Sequence, residues 1–146
     1  MEWTNGTLVV TCDPRRQDLD VIHGFLTQSY WAKGIPRETV ARSLENSLCF
    51  ALLDGATQIG FARVISDFAT IAYLGDVFVM PEYRGRGLSK WLMRCVTLHP
   101  DLQGLRRWML ATSDAHGLYQ QFGFTALARP EAFMERHDPN VYAQRT

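Results

Sequence analysis

Apolar residues recur along this chain in two rhythms, and the changes between them mark out its elements. Thr7 to Cys12 (TLVVTC) is rich in β-branched residues and reads as a strand. Asp13-Pro14 marks a turn, after which Leu19, Ile22, His23, Leu26 and Tyr30 fall at helical spacing. Gly34-Ile35-Pro36 breaks that helix. A second one starts near Pro36-Arg37-Glu38, with Val40, Leu44 and Leu48 continuing its apolar stripe. From Cys49 the rhythm shortens: Cys49–Leu53 and Ile59–Ile65 read as strands joined by a turn at Asp54-Gly55. A long strand follows from about Thr70 to Met80. Gly85 and Gly87 open a helix that carries Leu88, Trp91, Leu92, Cys95, Val96 and His99 on one face. Arg107–Ala111 reads as a strand, Ala115–Phe122 as a short helix stopped by Gly123, and the chain from Phe124 as strand again. The alternation predicts one mixed α/β (α+β) domain over residues 1–146.

Composition narrows the function classes. The 146 residues are 47% hydrophobic, enough to build a core for one domain. Fifteen Lys+Arg balance fifteen Asp+Glu, so the chain lacks the basic excess expected of a nucleic-acid partner. No apolar run approaches the ~20 residues of a membrane span, and Met1–Val10 does not read as a signal peptide. Cys12, Cys49 and Cys95 are odd in number, far apart and set among apolar neighbours. They are expected to be reduced, buried thiols of a cytoplasmic protein, and no spacing suggests a metal site.

The segment richest in chemistry is Val79-Met-Pro-Glu-Tyr-Arg84-Gly-Arg-Gly-Leu-Ser-Lys90. A strand runs into Pro81, two glycines straddle Arg86, and an amphipathic helix begins. Free N–H groups at a helix start, with the positive end of the dipole behind them, suit a phosphate or pyrophosphate. A dinucleotide fingerprint would need a third glycine where Lys90 stands, and a P-loop would need Gly-Lys-Ser/Thr. A plain glycine turn with a solvated basic face is the third reading.

The same segment resembles the coenzyme A–binding stretch of the GNAT acetyltransferases, whose Arg/Gln-x-x-Gly-x-Gly/Ala signature falls on Arg84, Gly87 and Ser89. Ser89 departs from the usual glycine or alanine. The resemblance covers roughly Leu48 to Phe124. It implies a GNAT fold: a twisted, mostly antiparallel sheet of roughly six or seven strands with about four helices. The strands predicted at 70–80 and 107–111 would splay apart where the thioester lies. It also implies acetyl-coenzyme A as the acyl donor. Backbone groups of Arg84, Gly85, Arg86, Gly87, Leu88 and Ser89 would hold the pyrophosphate, and those of Phe78, Val79 and Met80 would flank the pantetheine arm. A primary amine is the implied acceptor, and a homodimer the implied assembly.

A second stretch, Ala115-His-Gly-Leu-Tyr119-Gln-Gln-Phe-Gly-Phe124, resembles the family's short helix that ends in Gly-Phe. Tyr119 matches the tyrosine that protonates the departing thiolate, a step that needs an acid or hydrogen-bond donor in reach. Thr112 stands seven residues earlier, where many members have an asparagine on the cofactor arm.

Amide formation also requires a neutral amine. Asp76 lies mid-strand in a stretch fit for burial, so it either serves as base, directly or through water, or is a hydrogen-bonding structural carboxylate. The strand resembles that of spermidine/spermine acetyltransferases, except that Gly75 stands where those enzymes carry a catalytic glutamate. Asp67 reads as a turn residue. Tyr30 and Trp31 beside the Lys33-Gly34 break, with Phe68 and Tyr73 from the sheet, are expected to line the acceptor site. Two further readings stay open: a non-catalytic acyl-coenzyme A–binding module, and an enzyme for a longer acyl group.

Overall fold

The computed structural model describes residues 1–143. Six strands form one sheet in sequence order: β1 (Glu2–Asn5), β2 (Leu8–Thr11), β3 (Leu48–Asp54), β4 (Thr57–Ser66), β5 (Ile71–Val79) and β6 (Arg107–Leu110). Each of β1 to β4 pairs antiparallel with the next, and β6 runs parallel to β5. The α-helices are α1 (Leu19–Leu26), α2 (Arg37–Glu45), α3 (Leu88–Leu98) and α4 (His116–Gln120). Among the described residues, no helix is long and apolar enough to cross a membrane.

The sheet divides two apolar cores. On one face Phe50, Leu52, Ile59, Ala62, Val64, Ala72 and Leu74 meet Leu88, Leu92, Met93 and Val96 of α3, with Tyr119 of α4 in the same cluster. On the other, Phe61 and Phe78 meet Ile22 and Leu26 of α1 and Val40 of α2. Phe25 joins this second core by stacking on Phe78, with ring centroids 4.0 Å apart.

Ordinary alternation would put Ala72, Leu74, Asp76 and Phe78 on one face. They divide because β5 carries one extra residue. Phe61 opposes Phe78 and Arg63 opposes Gly75, which leaves Ala62 facing both Asp76 and Val77. This is a β-bulge, and Asp76 takes the left-handed conformation within it at φ 56°. After the bulge the parity reverses: Val77 and Val79 pack with Ala72 and Leu74, while Phe78 joins the opposite core.

Three expectations are corrected. The first strand does not begin at Thr7: the chain starts with a hairpin, β1–β2, turning at Gly6 with φ 63°. The helix read through Tyr30 ends at Leu26, because Ser29 Oγ bonds back to the Leu26 carbonyl (2.7 Å) and accepts from Ala32 N–H (3.1 Å), drawing the chain into a loop. No strand forms from Phe124 onward among the described residues. That stretch is Ala-rich and leads into Pro130, a poor β sequence, and Pro130–Ala132 makes a 3-10 turn instead. Asp54-Gly55 does turn the β3–β4 hairpin, and Gly123 does end α4, at φ 88°.

Two glycine substitutions test this packing with opposite signs. A Cβ on Gly60 would lie 3.0 Å from both Leu52 Cδ2 and the Phe78 carbonyl oxygen. Gly60→Ala is therefore expected to lower stability by about 1–3 kcal/mol and the melting midpoint by several degrees. Gly24, inside α1, has nothing within 4 Å of such a Cβ. Gly24→Ala should raise stability by about 0.5–1 kcal/mol in the same calorimetric comparison.

Candidate active site

The parallel pair closes only partway. β6 matches Ile71 to Leu74 of β5 and then ends at Leu110, so Gly75 to Val79 keep β4 on one side and have no strand on the other. The sheet splays there, between the bulged end of β5 and the turn that leads from β6 into α4.

Backbone groups face this gap selectively. Met80 N–H donates to the Ile59 carbonyl at 2.7 Å, and Phe78 pairs with Phe61. The antiparallel ladder alternates, so of Phe78, Val79 and Met80 it is Val79 that turns its peptide groups away from β4. The Val79 carbonyl accepts from Arg84 Nε at 3.0 Å, which folds the Arg84 side chain back over its own strand and leaves the Val79 N–H toward the gap.

Past Pro81–Tyr83 the chain turns through Gly85 (φ 79°) and Gly87 (φ 74°) into α3. Nothing crowds either glycine; the left-handed conformation is what selects the residue. Gly87 is the helix cap, no side chain caps it, and the first turn carries no acid. Trp91 N–H, bonding to Gly87 O at 3.1 Å, is the first amide to close a helical turn. The orphan donors before it open into a cavity of about 330 Å³ lined by Val79, Tyr83, Arg84, Gly85, Gly87, Leu88, Ser89 and Lys90. Donors, dipole, Lys90 and concavity together could hold an anion such as a pyrophosphate. Arg86 stands outside it, its guanidinium over the Tyr83 ring at 5.2 Å.

Across the gap, Thr112 Oγ1 accepts from the Asp114 (3.4 Å) and Ala115 (3.1 Å) amides and so shapes the turn into α4. α4 presents Tyr119, buried to 8% exposure and packed edge-on against Phe124. Burial pushes its phenol up to about 12, with Tyr30 and Asp114 adding to the rise, so the O–H persists through neutral pH. Among the described residues, no group hydrogen-bonds this hydroxyl.

Asp76 does not stand free. Its Oδ2 accepts from Arg63 Nε and its Oδ1 from Trp31 Nε1, both at 2.8 Å. Arg63 also donates to Ser47 Oγ at 3.1 Å. The Arg63–Asp76 pair is half-buried, with side chains 18% and 12% exposed. Arg63 pairs in register with Gly75 yet bonds Asp76, because the bulge suspends the alternation that would turn neighbouring residues to opposite faces. Tyr30 Oη accepts from Ser113 N–H at 3.3 Å, and its ring meets Trp31 edge-on.

The structure thus gathers Tyr30, Trp31, Asp76, Val79, Thr112 and Tyr119 around the splay, with Tyr73 exposed on β5 beside Gly75. Phe68 is not among them. It sits in the β4–β5 turn, and Ile71 alone is ~16 Å along the strand from Asp76. Asp67 is the turn residue read from sequence: its carboxylate accepts from the Thr70 hydroxyl and from the Thr70, Ala69 and Ile71 amides, which holds it well below the usual carboxylate range. Burial pushes the Cys12 and Cys49 thiols up to about 12 and Cys95 to about 11, which keeps them protonated at neutral pH. Arg63 and Ser113 were missed in the sequence. The cue for Arg63 was a lone charge within the apolar run Ile59–Ile65; a backbone donor such as Ser113 leaves none.

Comparison with known proteins bears on the fold and the family. A crystal structure of a Xanthomonas campestris protein, assigned to the GNAT family as an acetyltransferase, is 55% identical, covers 93% of this chain and 96% of its own, and superposes with a TM-score of 0.91. A Gibberella zeae protein, named as an acetyltransferase by inference, is 31% identical across 80% of this chain and 78% of its own length. A Clostridium acetobutylicum structure solved with acetyl-coenzyme A shares the fold at 14% identity, with a TM-score of 0.67, over 89% of this chain and 96% of its own. The acetyltransferase (GNAT) domain model matches residues 45–126, which span the bulge, the glycine turn and Tyr119, and the chain belongs to the GNAT acetyltransferase family.

Proposed function

We propose that this protein transfers an acetyl group from acetyl-coenzyme A to a primary amine, by direct attack of the amine on the thioester. The observation that carries the reading is an unbonded, protonated phenol on one side of the splay, with an uncapped helix N-terminus and the Val79 N–H on the other. In this reading the amides from Arg84 to Ser89 hold the pyrophosphate, and the gap between β5 and α4 receives the pantetheine arm. The carbon–nitrogen bond forms as the carbon–sulfur bond breaks. Tyr119 donates its proton to the departing thiolate and recovers one from solvent. Three free cysteines, all reduced, accord with a cytoplasmic enzyme.

Two variants test separate parts of this reading. Gly87→Trp places a bulky side chain at φ 74° over the anion site, and acetyl-coenzyme A binding by calorimetry should fall below detection. Unchanged affinity would remove the glycine turn from the donor site. Tyr119→Phe should lower kcat by about 10²-fold or more, with KM for acetyl-coenzyme A nearly unchanged. Because the phenol is raised to about 12, wild-type turnover should show no loss attributable to Tyr119 ionisation between pH 7 and about 10. A fall near pH 9 that vanishes in Tyr119→Phe would contradict the assignment.

A further inference from the structure

The loop between α1 and α2 touches both sides of the splay with two successive residues. Trp31 donates to Asp76 on β5 at 2.8 Å, and Tyr30 accepts from Ser113 in the β6–α4 turn at 3.3 Å. The strand ends they reach are not paired with each other. Behind Asp76 the anchorage continues through Arg63 to Ser47 Oγ, which in turn donates to the Ser43 carbonyl of α2 at 2.7 Å. The loop is also braced internally, by Gly34 N–H on the Thr27 carbonyl (2.9 Å) and His23 Nε2 at the Ile35 carbonyl (3.0 Å).

We propose that Tyr30 and Trp31 form a two-point clasp across the splay that sets the acceptor entrance, and that Asp76 and Arg63 are positioning residues for this clasp rather than the base. Both Asp76 oxygens already accept a hydrogen bond, one of them from a guanidinium. A proton taken from an ammonium would leave the half-buried Arg63 without its counter-charge. The acceptor's proton therefore passes to water, while the thiolate's proton comes from Tyr119. The acceptor amine enters past the phenol and indole, which makes Tyr30 and Trp31 determinants of acceptor affinity. The kinetic part rests on the transferase reading; the clasp itself does not.

Amide hydrogen exchange on the substrate-free protein tests the clasp directly. Trp31→Phe should speed exchange at Ala32, Gly34 and Ile35, and Tyr30→Phe at Ser113, each by about 2–10-fold, the worth of one hydrogen bond. Wild-type exchange at all four amides would overturn the clasp, whatever the protein catalyses. With an accepted amine in hand, Trp31→Phe should raise the acceptor KM by a similar factor while KM for acetyl-coenzyme A holds. Asp76→Asn should keep the wild-type shape of the pH–kcat profile. Loss of its ascending limb in that variant would make Asp76 the base and overturn the positioning role. Altered exchange without turnover on any amine would uphold the clasp and count against the transferase reading alone.

Discussion

One surplus residue in β5 governs where everything else in the site can be. Opposite Ala62 the strand spends two residues, Asp76 and Val77, where the ladder allows one. That reverses the parity of the strand's last residues, so Phe78 goes to the α1–α2 core and Val79 to the α3 core. It also bends the strand away from β6, whose pairing stops at Leu74. Without the bulge, Asp76 would point into the cluster that holds Leu74 and Leu92, where a carboxylate has no partner. With it, the carboxylate meets Arg63 and Trp31, and a gap opens beside Val79. A left-handed non-glycine residue is costly on its own; two hydrogen bonds to its side chain supply the compensation.

The two sides of that gap differ in electrostatic character, and the difference suits a transfer reaction. The α3 side offers backbone donors and a dipole, neutral in charge and fixed in direction, with Lys90 in the cavity wall. The α4 side offers one phenol whose burial keeps its proton in place. In the proposed reaction the α3 side would hold the donor's pyrophosphate and the α4 side would supply the proton. The apolar packing of α3 on the sheet, through Leu88, Leu92 and Val96, keeps these groups in register.

The elements written in local periodicity were legible: the α3 stripe, the Asp54-Gly55 hairpin, the long β5 strand and the glycine stop after α4. The glycine turn before α3 was legible because its glycines answer a backbone need, seen in their positive φ. Features that depend on pairing between distant segments were not. The bulge is a count of β5 against β4, and no window of β5 alone contains it. Neighbouring residues were therefore read as facing opposite ways, and Arg63 as Asp76's partner was invisible. Tyr30 seemed helical by spacing because the serine that ends α1 acts through its own hydroxyl. Phe68 looked like a pocket residue by type, but its place in the β4–β5 turn is a matter of strand length. The last strand failed because alternation was inferred where Ala and Pro give little β preference.

The central claim is acetyl transfer at the splay, and one measurement reaches it most directly. Coenzyme A release from acetyl-coenzyme A would be followed across a panel of polyamines, amino acids, aromatic amines, aminoglycosides and peptides. The account predicts release with at least one amine class, accompanied by the N-acetylated product in equal amount. Bound acetyl-coenzyme A that is never turned over, with any amine in the panel, would contradict it and leave a binding module in the enzyme's place.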